Sequence, residues 1–319
     1  MHAAVVRSFD APPRYETFPT PQPNGEHEIA VDVLAAGLHP RVRSGASGSH
    51  YTSTDALPLI PGIDGVGRGA DGQLLYFIAF DGAPGTMAEQ TVIDRRRAVV
   101  LGDDADVPAV AAGMNPGMSS WLALRRRISF SPGQKVLVLG ASGNAGRMAV
   151  QIAKLLGAGH VVGAGRDPER LAGLASLGSD QTVSLSGEPS EIARALGAAA
   201  DDVDVVIDYL WGTVTELAIP ALVRARAEPS KPLRWIEIGS MAGTTITLPS
   251  AALRAVNLQL LGSGQGSITT AGIAAELPEL AEQISAGRFV LEPLPRALSD
   301  VETAWDAPSA PGQRIVFTT

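Results

Sequence analysis

The sequence predicts a mixed α/β protein centred on a parallel, doubly wound sheet, and three observations predict it. From Lys135 onward, apolar strands alternate with helical segments over short connections. A glycine-rich turn joins the first of those strands to the helix after it. Residues up to about Val100 read instead as short segments punctuated by Pro and Gly, the texture of a β-rich domain. At 319 residues, with 45% hydrophobic and 18% charged residues, the chain is long and apolar enough for a large packed core.

The elements follow in chain order. Ala3 to Val6, Glu28 to Leu34, Leu74 to Phe80 and Met87 to Ile93 are predicted strands; in the second, Ile29, Val31 and Val33 alternate with Ala30, Asp32 and Leu34. The pattern changes near Pro108, and Pro108 to Ile128 favours helix. Ser131-Pro132-Gly133 makes a turn into the continuous apolar strand Val136 to Leu139. Ala145, Met148, Ala149, Ile152 and Leu156 recur at helical spacing, with Gly157 as the C-cap. His160 to Ala164 is a second strand and Pro168 to Ser176 a helix. Val203 to Tyr209 and Trp235 to Ile238 are buried strands. A helix at Ala275 to Ala286 and strands at Phe289 to Leu294 and Arg314 to Phe317 complete the chain. No period of 20 to 50 residues repeats, which excludes a solenoid or propeller.

Composition removes several function classes. With 25 Lys+Arg against 33 Asp+Glu, the net charge of −8 argues against nucleic acid or an anionic membrane surface as partner. The basic runs Arg95-Arg96-Arg97 and Arg125-Arg126-Arg127 have no interleaved aromatics and read as solvated faces. Cys 0 leaves no disulfide, thiolate nucleophile, iron–sulfur cluster or cysteine-ligated zinc. None of the five histidines pairs with another at helix-face spacing, so no metal is expected. Neither a secretory signal nor an apolar run of about 20 residues is present, and the expected location is the cytoplasm.

The most informative segment is Val136 to Gly146. Gly140 allows a tight turn, Gly143 lets backbone approach a pyrophosphate, and Gly146 permits close packing of helix on strand. Ser142, Asn144 and Ala145 fill the turn and first helical positions, where N–H groups and a partial positive charge face an anion. The bland alternative is an ordinary strand-to-helix turn. At the end of the second strand an NAD site usually carries an acid, whereas this chain reads Gly163-Ala164-Gly165-Arg166-Asp167. Arg166 suits a 2′-phosphate and so NADP(H), with Arg170 a weaker second contact. Otherwise Arg166 is a solvated residue paired with Asp167.

The whole chain resembles the medium-chain dehydrogenase/reductase superfamily, in its zinc-independent quinone oxidoreductase branch. The resemblance rests on Ala35-Ala36-Gly37-Leu38-His39-Pro40, Leu59-Ile60-Pro61-Gly62, Gly85 to Glu89, Ser131 to Val138, Gly140 to Gly146 and Ile238-Gly239-Ser240, in that order. It implies a GroES-like β-rich catalytic domain built from residues 1–112 and 263–319, a Rossmann NADP-binding domain over 113–262, a substrate cleft where they meet, and a homodimer. Zinc-bearing relatives place a cysteine at position 39 and a His-Glu pair near Ile63-Asp64, and neither is kept. After Gly62 this chain is shorter than the family pattern, which points to an unusual pocket rim.

The resemblance also supplies site residues. The zinc-free branch commonly has Asn-Pro where this chain has His39-Pro40, so His39 is a candidate proton carrier or polar clamp, or a hydrogen-bonded loop histidine. Tyr51 occupies the place of a tyrosine that faces the nicotinamide in enoyl reductases, or is a half-buried loop residue. Asn115 to Trp121 is similar to a stretch whose hydroxyl sits near the carboxamide; Ser119 takes that position, or caps the helix that follows. Asp208-Tyr209-Leu210-Trp211-Gly212 ends a strand at the cofactor edge, with Trp211 either core packing or a ligand wall. Gly239, Ser240 and Ser263 are further contacts, and Gly262 to Gln265, with Gly264, resembles the loop that closes over the cofactor.

The expected reaction is hydride transfer from NADPH to a quinone or activated alkene. The protein orients the carbonyl, and Tyr51, His39 or solvent delivers a proton. A zinc-free carbonyl reductase or alcohol dehydrogenase, and a non-catalytic NADPH-binding regulator, are the competing possibilities. In each case the partner is a small carbonyl, enone or quinone molecule, or the cofactor alone.

Overall fold

The computed structural model describes residues 1–50, 53, 56–79, 82–310 and 312–319. They form two compact units, Met1–Asn115 together with Ala274–Thr319, and Pro116–Ile273.

The first unit begins with β1 (His2–Val5) and β2 (Arg14–Thr17), paired antiparallel. It continues through β3 (Glu28–Gly37), α1 (Pro40–Ala46), β4 (Asp64–Gly69), β5 (Leu74–Ile78), β6 (Gln90–Asp94) and β7 (Ala98–Val100), and into α2 (Val107–Leu122). β3 is the long central strand. It pairs antiparallel with β4 and with β6, and its alternating apolar positions Val31 and Val33 pack with Leu75, Phe77 and Ile93. It ends at Gly37, where a Cβ would approach the Ala111 carbonyl to 2.5 Å. The predicted strand Met87 to Ile93 begins only at Gln90, because Met87 and Ala88 bond to β1 instead: Ala4 N–H donates to the Met87 carbonyl at 2.9 Å.

The second unit is built from β8 (Lys135–Leu139), α3 (Asn144–Leu155), β9 (His160–Gly165), α4 (Pro168–Ala172), β10 (Gln181–Ser184), α5 (Pro189–Ala199), β11 (Val205–Asp208), α6 (Gly212–Ala225), β12 (Leu233–Glu237), α7 (Ala252–Ala255) and β13 (Leu258–Gly262). Among the described residues these strands make a parallel sheet in the order β10-β9-β8-β11-β12-β13. That is the doubly wound Rossmann order, with its switch point between β8 and β11. Leu137, Leu139, Val162, Val206 and Trp235 on the sheet pack with Leu196, Ala218 and Leu222 of α5 and α6.

The chain continues into α8 (Thr270–Ser285), and β14 (Glu292–Ala297), α9 (Val301–Ala304) and β15 (Gln313–Thr318) complete the first unit. β14 runs parallel to β15, and β15 pairs antiparallel with β3. Trp305 and Phe317 enter the same core as Ala4, Ala36 and Val42, which is how the two ends of the sequence share one interior.

Two helices are shorter than predicted. The segment expected to run to Ile128 is α-helical to Leu122 and π-helical over Ala123–Arg127. The segment expected to reach Ser176 stops at Ala172, is followed by a 3₁₀ turn at Ala175–Leu177, and ends at Gly178 with φ +103°. The basic run 125–127 is not merely a solvated face. Arg125 lies 4.7 Å over the Trp121 ring, and Arg127 Nε donates to the Gly262 carbonyl at 2.7 Å.

Candidate active site

Within the second unit, β8 is covered on both faces by the parallel sheet's helices, which is why its interior reads as an unbroken apolar run. The chain leaves it at Gly140 with φ +86°, a left-handed conformation open to glycine. The N–H groups of Gly140 and Ala141 both donate to the Ala164 carbonyl at 2.9 Å, tying the turn to the end of β9. A Cβ on Gly146 would strike the Gly140 carbonyl and lie 2.6 Å from Ala141 Cα, so glycine is what lets α3 lie on the turn. A Cβ on Gly143 would meet only the Gly140 carbonyl, at 3.5 Å, so the space a side chain would take there is otherwise open.

Gly143 is the N-cap of α3 and has no side chain to cap it, and the first turn, with Asn144 and Ala145, carries no acid. The positive end of a twelve-residue helix therefore faces an open glycine. Backbone N–H groups and the helix dipole at such a turn suit an anionic group.

Ser142 sits against the end of β9, where a Cβ on Gly165 would come within 2.6 Å of Ser142 Oγ. The next residue, Arg166, is exposed and makes no ion pair among the described residues. The alternative partner, Asp167, is committed elsewhere. Its Oδ1 accepts from the N–H groups of Glu169 and Arg170 at 3.0 and 3.1 Å, capping α4, and its Oδ2 lies 3.3 Å from Arg170 Nε. Arg170 is therefore drawn to Asp167, and Arg166 is left as the available cation.

The C-terminal ends of β11 and β12 carry the next group. Ser119 lies inside α2, so it is not the cap of a following helix; its Oγ donates to the Pro116 carbonyl at 2.7 Å. The Tyr209 hydroxyl lies 2.8 Å from the same oxygen, and burial, opposed by the hydrogen bonds with Ser119 and Ser120, pushes that phenol up to about 12. Ser119 and Tyr209 are thus brought together, with the phenol occupied internally.

Gly239 lies against Tyr209, a Cβ there coming within 3.2 Å of the Tyr209 carbonyl, and Ser240 is exposed beside it. Gly264 is exposed in a tight loop in which Gly264 N–H donates to Ser267 Oγ at 2.8 Å, and Arg127 Nη1 reaches the Ser267 carbonyl at 3.4 Å. Asn115, half-buried inside α2, belongs to the first unit. Trp211 is half-buried.

In the first unit, His39 precedes α1 and is only 2% exposed. Its Nε2 donates to Asp64 Oδ1 at 3.0 Å, while the Tyr76 hydroxyl donates to Asp64 Oδ2 at 2.9 Å. Burial holds the imidazole below its usual range against the upward pull of Asp64, so the neutral ring is the resting form. The buried Nδ1 then carries a lone pair with no hydrogen-bond partner among the described residues. Burial also lowers the nearby Arg314 to about 10, against the pull of Asp64, and keeps Tyr76 protonated. A neutral histidine with its N–H given to a carboxylate is suited to accepting a proton or a hydrogen bond, and poorly suited to donating one. Tyr51 lies outside the described residues.

Sequence reasoning missed the Asp64–Tyr76–Arg314 surroundings of His39. The residues stand far apart along the chain, and no short-range pattern links them.

A parallel doubly wound sheet with an open glycine turn at its switch point is the architecture of dinucleotide-binding proteins. Residues 145–226 match the family described as zinc-binding dehydrogenase. Over 358 aligned positions, spanning 99% of this chain and 99% of the relative, the sequence is 32% identical to a probable NADPH-dependent quinone reductase of Emericella nidulans. It is 27% identical, over 68% of this chain and 64% of that protein, to an NADPH-dependent alkenal/one oxidoreductase of Arabidopsis thaliana. The structure of the quinone oxidoreductase of Thermus thermophilus superposes with a TM-score of 0.82, covering 100% of both chains at 23% identity. The chain belongs to the medium-chain dehydrogenase/reductase superfamily, in its quinone oxidoreductase-like branch.

Proposed function

We infer that this protein is an NADPH-dependent reductase of quinones or activated alkenes. The observation that carries this is the 32% identity over 99% of the chain to a relative named for quinone reduction with NADPH. The glycine cradle supports the dinucleotide, and the exposed Arg166, where an NAD site places an acid, supports its 2′-phosphate.

When bound, NADPH supplies a hydride to the acceptor, which takes up one proton and leaves as the quinol or the saturated ketone. The chain's own work is to hold and orient. Gly140 to Gly146 bind the pyrophosphate, with Ser142, Asn144 and Ala145 shaping the turn. Arg166 binds the 2′-phosphate. Ser119, Tyr209, Gly239, Ser240 and Gly264 border the remainder, and Asn115 contributes from α2. Tyr51 or water delivers the proton, and the neutral His39, its N–H given to Asp64, keeps Nδ1 as a proton-accepting nitrogen.

The reaction runs without zinc: the chain has Cys 0, and His39 and Asp64, near the positions where zinc-bearing relatives place ligands, are bonded to one another. The working form is a homodimer in the cytoplasm. Among the described residues no helix is long and apolar enough to cross a membrane.

The test is oxidation of NADPH followed at its absorbance band with 1,4-benzoquinone and with an enone, for the unaltered protein and for Arg166→Ala. Turnover with either acceptor, strongly weakened in the variant, supports the proposal. NADPH binding with no turnover on either acceptor class would instead leave a binding protein.

A further inference from the structure

We propose that Trp211 is an aromatic surface against which a flat ring of the bound dinucleotide stacks, kept in that position by a strained backbone. The proposal rests on the NADPH reading above and deepens it.

Trp211 follows β11 and is the N-cap of α6, with φ +51° and ψ −155°. That conformation lies at the edge of a region reserved almost entirely for glycine, and Trp211 is the one non-glycine residue with positive φ among the described residues. Glycine would remove this cost, yet the chain places its largest side chain there.

The surroundings hold the strain in place. Asp208, fully buried, accepts from the N–H groups of Leu210 and Trp211 at 2.8 and 2.9 Å through Oδ1. Its Oδ2 accepts from Thr215 Oγ1 at 2.5 Å and from Trp235 Nε1 at 2.9 Å. From the other side, Ala242 N–H donates to the Leu210 carbonyl at 2.7 Å, and Gly212 is pressed so closely on the Ala242 carbonyl that a Cβ would not fit. A fully satisfied buried carboxylate and a neighbouring loop thus fix the three residues that present the indole.

The position is the switch point of the sheet. Gly140 of the phosphate turn is the direct neighbour of this segment, a Cβ there coming within 3.1 Å of Leu210 and 3.3 Å of Tyr209. Trp211 is therefore one residue beyond side chains that touch the turn, in the crevice where a doubly wound sheet binds its ligand. An indole half-open to solvent at that place offers a stacking face to either ring of a dinucleotide.

The experiment exploits the other three tryptophans, which are 1%, 0% and 6% exposed at Trp121, Trp235 and Trp305. Iodide quenching of intrinsic fluorescence accordingly reports on Trp211, and Trp211→Phe should abolish most of it. Titrated with NADP⁺, which avoids energy transfer to the reduced ring, the unaltered protein should lose most of its iodide quenching. Trp211→Gly should bind NADP⁺ about 3- to 30-fold more weakly while its Tm stays level or rises, since the backbone penalty is gone. Trp211→Phe should retain an intermediate affinity.

Unchanged iodide quenching at saturating NADP⁺ overturns the proposal, as does NADP⁺ binding by Trp211→Gly that equals that of the unaltered protein. Should Trp211→Gly fail to fold, the quenching experiment on the unaltered chain still decides. A failure of the unaltered protein to bind NADP⁺ at all would count against the cofactor reading itself, a separate result.

Discussion

His39 Nε2 and Asp64 Oδ1 are 3.0 Å apart, and both side chains are 1% exposed. This one bond fixes the tautomer of the imidazole and leaves Nδ1 as its acceptor nitrogen. The carboxylate simultaneously takes the Tyr76 hydroxyl through its second oxygen, so one buried charge orders two rings.

Removing that charge should be costly. Asp64→Ala leaves the buried His39 N–H and Tyr76 hydroxyl without their acceptor and removes a carboxylate that favours the charged Arg314, and is expected to destabilise the protein by about 3–5 kcal/mol. Urea unfolding at neutral pH measures it. A loss below about 1 kcal/mol would mean that water replaces the carboxylate.

The burial of His39 sets a pH dependence, which the bond to Asp64 opposes. In the folded protein burial lowers the His39 pKa beneath its unfolded value, so in acid the unfolded chain binds the extra proton. The associated stability is complete above the unfolded imidazole value of about 6.5 and falls as pH drops below it, with a slope of at most about 1.4 kcal/mol per pH unit for this group. His39→Gln should flatten the decline in urea midpoint between about pH 6.5 and 5. His50, also lowered by burial, keeps a smaller residual slope. An identical decline in the variant would assign the effect to other groups.

Arg166 offers a sharper test of cofactor choice. With Asp167 capping α4 and drawing in Arg170, the Arg166 guanidinium loses no partner among the described residues on substitution. Arg166→Ala is expected to weaken NADPH binding about 10- to 150-fold, the worth of a charge-assisted bond, and to leave NADH binding and Tm unchanged. Fluorescence titration with both nucleotides checks it; equal losses for the two would place Arg166 away from the 2′-phosphate.

Local chemistry made much of this legible in the sequence. The turn from Gly140 to Gly146 was readable because strand, glycines and helix are contiguous, and the parallel sheet because each β–α step repeats the same short pattern. What lay beyond reach was long-range. His39 and Asp64 are 25 residues apart, Trp235 reaches Asp208 across 27, and Arg127 clasps Gly262 across 135. The backbone of Trp211 was equally invisible, since nothing in Tyr209-Leu210-Trp211-Gly212 signals a left-handed tryptophan. The strand expected at Phe289 begins instead at Glu292, because Phe289 is taken into the core ahead of the strand.

The last two glycines of the turn, Gly143 and Gly146, should separate stability from binding. At Gly146 a new Cβ meets backbone on both Gly140 and Ala141, atoms that cannot swing aside. Gly146→Ala is therefore expected to lower stability by about 1–3 kcal/mol, the cost of forcing extra volume into packed structure. At Gly143 the backbone has φ −82°, open to any residue, and the Cβ reaches only an ordinary contact of 3.5 Å. Gly143→Ala should leave Tm unchanged while weakening NADPH binding, because the added methyl occupies the side that a pyrophosphate approaches. Thermal melts and nucleotide titrations on the two variants give the comparison. If Gly143→Ala binds NADPH as tightly as the unaltered protein, the phosphates do not pass over that face, and the cradle reading of the turn is wrong.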